Sequence, residues 1–597
     1  MRRTFVVSAG VRSARDFDVF AAAAARLRRH GRVEMNVANL SGRDFSEVPA
    51  GGSPWHEYAA YGVGLHKFYP HPKLAQFVDA EFVARNRRLL RSCVKVLRAH
   101  KLGACFQLHE PHFLPEAFFQ AHPHLRGPRV DHPRRSRAEA YAMCLDHPEG
   151  REILSAMAAD LARDVPDLGT MHVLTNDAGS GFCWCEYLYP GPNGPAGCRG
   201  VGVGERVAAF VAALRDGKGK GDLDVVIAGN FTAVENHAVR PHLDDHVFWS
   251  RQPERTIRIG TVADNPVRGV IDPVGILAAL QGWRRPEIRK VFLGFGTNYR
   301  RGHELPEAAS MVIDIVDAFC RRPAYGLLNR LEFLRGLCAR WAGEGYADEL
   351  LEAFVALREA LTLKQQTLGK MNANNAGVSM RMINRPLVAM PEKLAPDEED
   401  YFLPYVFNVR PDQARSDYLD RHGSRPPLGI MGDPGPNPSI GNVDRCRGMF
   451  ERVADALAAV PGRGRPAGVL RRMALSLRIH SCIMRSVNNF HVVQTVRDHC
   501  AEKLTGQPVA PPKRRSMTGD PDLLLLHERM RDELDNTARL VDILAAGGLG
   551  QLALAPTADL EDTFLLGPDL PSQLTRKMAI MRRHWLDASR HLAPPMK

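Results

Sequence analysis

The chain has no apolar run approaching the roughly 20 residues that a bilayer span needs. Its opening, MRRTFVVSAGVRSARDF, meets charge too early for a secretory signal. Neither a membrane partner nor a secretory route is therefore expected. A dense basic face is also missing. Lys+Arg outnumber Asp+Glu by 79 to 67, but the surplus is scattered, and the one tight cluster, Lys513-Arg514-Arg515, sits in a proline-rich stretch. That pattern does not make a nucleic-acid surface, and anionic sugars are an equally good outlet for a net charge of +12. The 11 cysteines are odd in number and mostly lie within apolar patterns, which fits a reducing cytoplasm rather than a disulfide framework. No phosphate-binding glycine fingerprint follows the first apolar strand. GVGVGE at 200–205 follows a loop and reads as a turn before a helix. No cofactor is called for.

What is present is an alternation. Short apolar runs at 3–10, 32–40, 103–110, 171–177, 223–231, 256–264 and 290–298 read as strands, and AYGLLNRLEFL at 324–334 is the weakest candidate for an eighth, because it reads equally well as helix. Helical patterns fill the gaps, including 13–30, opened by Ser13 as a cap, then 72–100 and 150–165. Near-continuous apolar strands separated by helices predict a parallel sheet buried on both faces. That many units over residues 1–345 fit an α/β fold of the (β/α)8 TIM barrel type better than an open doubly wound sheet. Residues 346–445 read as an irregular connection with one helix and a Gly/Pro-rich loop, and 446–597 as a C-terminal α-helical bundle.

The strands finish in polar residues: Asn36 or Asn39, His109-Glu110, Asn176-Asp177, Asn230, Asp264 and Asn298-Tyr299. In a barrel such ends converge on one face, where active sites lie. Asp177 opens the densest stretch, LTNDAGSGFCWCEYLYPGPNGPAGCR, and is either the cap of the next turn or an acid at the mouth of the barrel. Glu186, beside Trp184, Tyr187 and Tyr189, suits a sugar site, where rings stack on sugar faces and carboxylates accept from hydroxyls. HEPHF at 109–113 is not a zinc motif, since its histidines are three apart at a strand end with Pro111 between them. Hydroxyl binding or proton relay by His109 and Glu110 is more natural. Cys183, Cys185 and Cys198 lack the spacing of structural zinc and read as packing residues under a loop; no metal ligand is assigned.

LHEPHF (108–113), HVLTNDAGSGF (172–182), EYLYPGPNGP (186–195), MRMINRPLVAMPEKL (380–394), RDELDNTARLVDIL (531–544) and DTFLLGPDL (562–570) together resemble (β/α)8 glycoside hydrolases, specifically the α-glucuronidase and family-20 β-N-acetylhexosaminidase groups. The resemblance implies hydrolysis by two carboxyl groups through an oxocarbenium-like transition state. Asp177 matches the position after strand four where such barrels keep an acid. The hexosaminidases have an Asp-Glu pair there and this chain has Asn176-Asp177, so N-acetyl-assisted chemistry is not implied.

The expectation is a cytoplasmic, exo-acting glycoside hydrolase for small glycosides or oligosaccharides, with uronic or other anionic sugars as candidate substrates. Asp177 would be the general acid and Asp264 or Glu110 the base or nucleophile. His109, Asn176, Trp184, Glu186, Tyr187, Asn230, Tyr299 and Arg300 would bind the sugar. The partner is a small carbohydrate, with a homo-oligomer left open. One rival is a metal-dependent barrel isomerase or hydrolase built on His109, Glu110, Asp177 and Asp264. The other is a non-catalytic carbohydrate-binding or scaffold protein.

Overall fold

The computed structural model describes residues 3–42, 62–130, 139–175, 181–185, 199–219, 222–229, 231–262, 266–296, 304–370, 381–389, 393–402, 439–504, 521–561 and 565–587. The chain divides into two compact units, Met1–Thr261 with Ile276–Gly326, and Val262–Gly275 with Leu327–Lys597.

Among the described residues the first unit has eleven strands: β1 (Thr4–Ser8), β2 (Arg32–Asn36), β3 (Gly103–His109), β4 (Phe113–Leu114), β5 (Arg126–Arg129), β6 (Tyr141–Met143), β7 (Leu168–Leu174), β8 (Asp224–Ala228), β9 (Val247–Trp249), β10 (Thr256–Gly260) and β11 (Lys290–Gly294). Eight of them form one parallel sheet in the order β10-β11-β1-β2-β3-β7-β8-β9. The order follows the chain, except that the first strand also pairs with the last. Parallel strands need crossovers, and helices supply most of them. Ser13 caps helix Ala14–Ala24 by accepting from the Asp16 amide at 3.1 Å. Asp79 caps Ala80–His100, which ends on Lys101 in the left-handed region. The crossover after β3 also carries the small antiparallel sheet β4-β6-β5.

The eighth strand differs from the expected one. Residues 324–334 do not form a strand; helix Leu327–Ala342 begins there, with Leu334, Leu337 and Cys338 buried at helical spacing. The missing strand is β9, three residues long and joined to β10 without a helix. A three-residue strand leaves almost no period-two signal in sequence. Among the described residues no ladder joins β9 to β10. Side chains span the gap instead: Thr256 Oγ1 donates to the Ser250 carbonyl at 3.1 Å, and Arg258 Nη1 donates to the same carbonyl at 3.2 Å.

The sheet curls on itself, and its inward residues follow the strand period of two. At the N-terminal ends lies a layer of charge. Lys290 Nζ is 2.7 Å from Asp224 Oδ2 and donates to Thr170 Oγ1 at 2.6 Å, while Thr170 donates to Glu34. Above it Val6, Cys105, Val226, Phe248 and Phe292, from five strands, make an apolar layer.

The second unit is mainly helical: Leu327–Ala342, Ala347–Lys370, Ser439–Ala458, Arg465–Leu504, Pro521–Ala545 and Leu570–Arg583 are its long helices. Its core includes a polar node. The buried Glu533 carboxylate accepts from Ser486 at 2.7 Å and Asn489 at 2.9 Å and pairs with the buried Lys577 ammonium, which also donates to the Ile383 carbonyl at 2.8 Å. This explains an asparagine pair inside a long helix. Asn489 bonds to Glu533, and Asn488 donates to Asp444 at 2.9 Å. No helix among the described residues is long and apolar enough to cross a membrane.

Candidate functional site

Above the apolar layer the inward side chains turn polar. A cavity of about 90 Å³ is lined by Ser8, Asn36, Gln107, His172, Arg258 and Gly294, together with apolar residues of the same strands. That is room for several waters, since one needs roughly 10–15 Å³ by this measure. Each lining polar group comes from a different strand and is held by its neighbours. Ser8 Oγ donates to Gln107 Oε1 at 3.0 Å. Asn36 Oδ1 accepts from the Gln107 amide at 2.9 Å and the Ala38 amide at 3.1 Å. Its Nδ2 is buried and has no hydrogen-bond partner among the described residues. The Arg258 guanidinium lies 5.3 Å from the centre of the Phe292 ring.

His172 sits against Phe292, with ring centres 5.2 Å apart. Burial, reinforced by the charges of Arg258 and His109, pushes its imidazole down to about 3. It is therefore a neutral ring at any ordinary pH. Its Nε2 has no hydrogen-bond partner among the described residues. A neutral imidazole and a guanidinium beside amide and hydroxyl groups can bind and orient a hydroxylated or anionic ligand.

Glu110 follows β3 directly. Its carboxylate accepts from the Leu65 amide at 2.8 Å on one oxygen and from the His112 amide at 2.8 Å on the other. Burial raises its pKa, opposed by His66 and by those two amides. The arrangement ties the segment around Leu65 to the end of β3, where the His109 amide donates to the Val63 carbonyl at 2.7 Å. His66 and His112 lie side by side there, with ring centres 5.2 Å apart. The Glu110-Pro111 peptide bond is cis.

Residues 181–185 rest on that turn. Gly181 has φ +79°, and a Cβ there would stand 2.9 Å from both Cδ and the carbonyl oxygen of Pro111. Phe182 packs edge-on to Phe210 and stacks near Phe231, which in turn neighbours Trp249. Trp184 is half-buried with φ +59°, packs against Cys144 and Cys183, and carries the Arg199 guanidinium 5.5 Å from its ring centre.

Of the residues expected from sequence, His109 and Glu110 thus stand together at the end of β3, and Trp184 lies in the segment packed on Pro111. Asp177, Asp264, Asn176, Glu186, Tyr187, Asn230, Tyr299 and Arg300 lie outside the described residues. Sequence reasoning missed Gln107, His172 and Arg258. Their signal was present: each is one polar residue inside an apolar strand, in FQL, MHV and IRI.

No family model matches the chain, and no curated protein matches it in sequence. Among solved structures it is similar to a GH138 enzyme targeting pectin rhamnogalacturonan II, with 10% identity, a TM-score of 0.50, and coverage of 100% of this chain and 69% of that one. At that identity the likeness is one of fold: a curled parallel α/β sheet followed by helices.

Proposed function

We propose that the chain is a glycoside hydrolase whose curled sheet is a (β/α)8 barrel. The observation that carries the reading is the convergence of Ser8, Asn36, Gln107, His172 and Arg258, from five strands, on one cavity inside a parallel sheet. Such sheets present their sites at the C-terminal strand ends, where His109, Glu110 and the segment around Trp184 also lie. The fold likeness to a pectin-targeting glycosidase supports the same class.

In this reading Asp177 protonates the leaving oxygen and Asp264 is the second carboxylate. Both oxygens of Glu110 are already used by backbone amides, which suits an anchor better than a nucleophile, base or metal ligand. His109 and Trp184, with Asn176, Glu186, Tyr187, Asn230, Tyr299 and Arg300 as assigned from the sequence, complete the sugar contacts. Cleavage from a chain end and a preference for uronic or other anionic sugars belong to the same proposal, and Arg258 supports the latter with a cation on the cavity wall. Carboxylates about 5–5.5 Å apart retain the anomeric configuration, and about 6.5–9.5 Å apart invert it.

The test is a panel of chromogenic α- and β-glycosides, neutral, N-acetylated and uronic, with wild type and Asp177→Asn side by side. Hydrolysis lost in the variant supports the reading. A folded wild type inert across the panel counts against it.

A further inference from the structure

The excursion after β3 and the segment after β7 meet at sulfur. Cys144, Asp146 and Cys183 each bring one donor atom within 4.8 Å of the others. Both cysteines are buried. Cys144 follows β6 directly and is fixed by its own amide, which donates to the Leu125 carbonyl at 2.8 Å. Arg206, itself buried, donates to the Cys183 carbonyl and lies 3.5 Å from Asp146 Oδ1, so it braces two of the three donors.

We propose that Cys144, Asp146 and Cys183 form a site for a thiophilic divalent cation, zinc by ligand type, which pins the segment carrying Trp184 to the excursion after β3. Two thiolates select zinc over magnesium or calcium, and a carboxylate is an ordinary third ligand, with water in the fourth place. The charges of two thiolates and a carboxylate are matched by one divalent ion and the Arg206 guanidinium. The sequence hides this site because its cysteines belong to different crossovers, and no short spacing joins them.

The site makes no use of the proposed hydrolysis, so its test is optical and independent of turnover. The full chain, purified under reduction and freed of metal by chelator, is titrated with Co²⁺ and then with Zn²⁺. The expected result is a thiolate-to-cobalt charge-transfer band that saturates at one equivalent and is erased by Zn²⁺. The band is lost in Cys144→Ser and in Cys183→Ser and kept in Cys446→Ser. Where a variant fails to fold, wild type answers alone. Zn²⁺ at ten times its dissociation constant should slow alkylation of Cys144 and Cys183 about tenfold while leaving that of Cys320 unchanged. A folded chain with no such band, a band undiminished in Cys144→Ser, alkylation unaffected by Zn²⁺, or a Cys144–Cys183 disulfide that forms in the presence of excess Zn²⁺ would each overturn the proposal.

Discussion

Lys290 Nζ lies 2.7 Å from Asp224 Oδ2, although the two residues sit on the second and the seventh strand of an eight-strand sheet. Only a curled sheet brings them together. Lys290 is 2% exposed, so its removal leaves Asp224 and Glu34 without their shared cation. Lys290→Met should lower stability by about 3–5 kcal/mol in urea unfolding. The exposed pair Arg85–Glu81 sets the contrast: Arg85→Ala should cost under about 1 kcal/mol. Equal costs would mean that the buried cluster contributes no more than a surface contact.

Asp177 and Glu110 should separate by phenotype. Asp177→Asn should lower kcat by about 10²–10⁴-fold, the usual contribution of a general acid, with an unchanged melting temperature. Glu110→Gln sets an amide donor against a backbone amide. It should cost about 1–3 kcal/mol of stability, with a raised KM as its kinetic effect. Glu110→Gln with unaltered stability and abolished kcat would return Glu110 to the chemistry.

Gly181→Ala should be destabilising by about 1–3 kcal/mol, because the left-handed backbone and the contact with Pro111 both oppose a side chain. Gly200→Ala, which meets no atom within 4 Å, is the matched control. Thermal unfolding of the two variants beside wild type checks this.

His172 gives a pH signature. Its folded-state pKa is about 3, against 6.5 for the free imidazole. As pH falls below 6.5, the unfolded chain takes up a proton that the folded chain refuses, so stability is lost progressively toward about pH 3. At pH 5 the loss is at most about 2 kcal/mol from this residue. Urea midpoints of His172→Gln should therefore fall less steeply than those of wild type between pH 7.5 and 5. Parallel curves would show that His172 does not stay neutral on folding.

Arg258→Gln should raise KM for an anionic glycoside roughly ten- to hundredfold, corresponding to about 1.5–3 kcal/mol for a hydrogen bond to charge, and leave KM for a neutral one nearly unchanged. Equal effects on both would remove Arg258 from recognition of charge.

Much of the first unit was legible because apolar strands and capped helices alternate. Ser13 caps its helix as its position suggests, and the strand beginning at Lys290 falls where the apolar run begins. What escaped was either too short or too distant. Val247–Trp249 has no room for a period, and residues 324–334 carry leucines that satisfy a helix as readily as a strand. A carboxylate at a strand end has the same sequence signature whether it faces a ligand or accepts from backbone amides, as both Glu110 oxygens do. His172 and Arg258 were visible as polar interruptions, but which face of a strand a residue occupies depends on strands that are distant in sequence.

The pairing of β1 with both β2 and β11 has a consequence for synthesis. One neighbour of Thr4–Ser8 is made almost at once, at Arg32–Asn36; the other, Lys290–Gly294, emerges last of the eight. At ribosomal speeds of about 5–20 residues per second, the first strand waits roughly 15–60 s for its second partner. Throughout that time Phe5 and Val7 border an open edge, the kind that pairs with other chains. A nascent chain of this protein therefore needs its first strand shielded until residue 294 has left the ribosome, and truncations ending before it should aggregate through that edge.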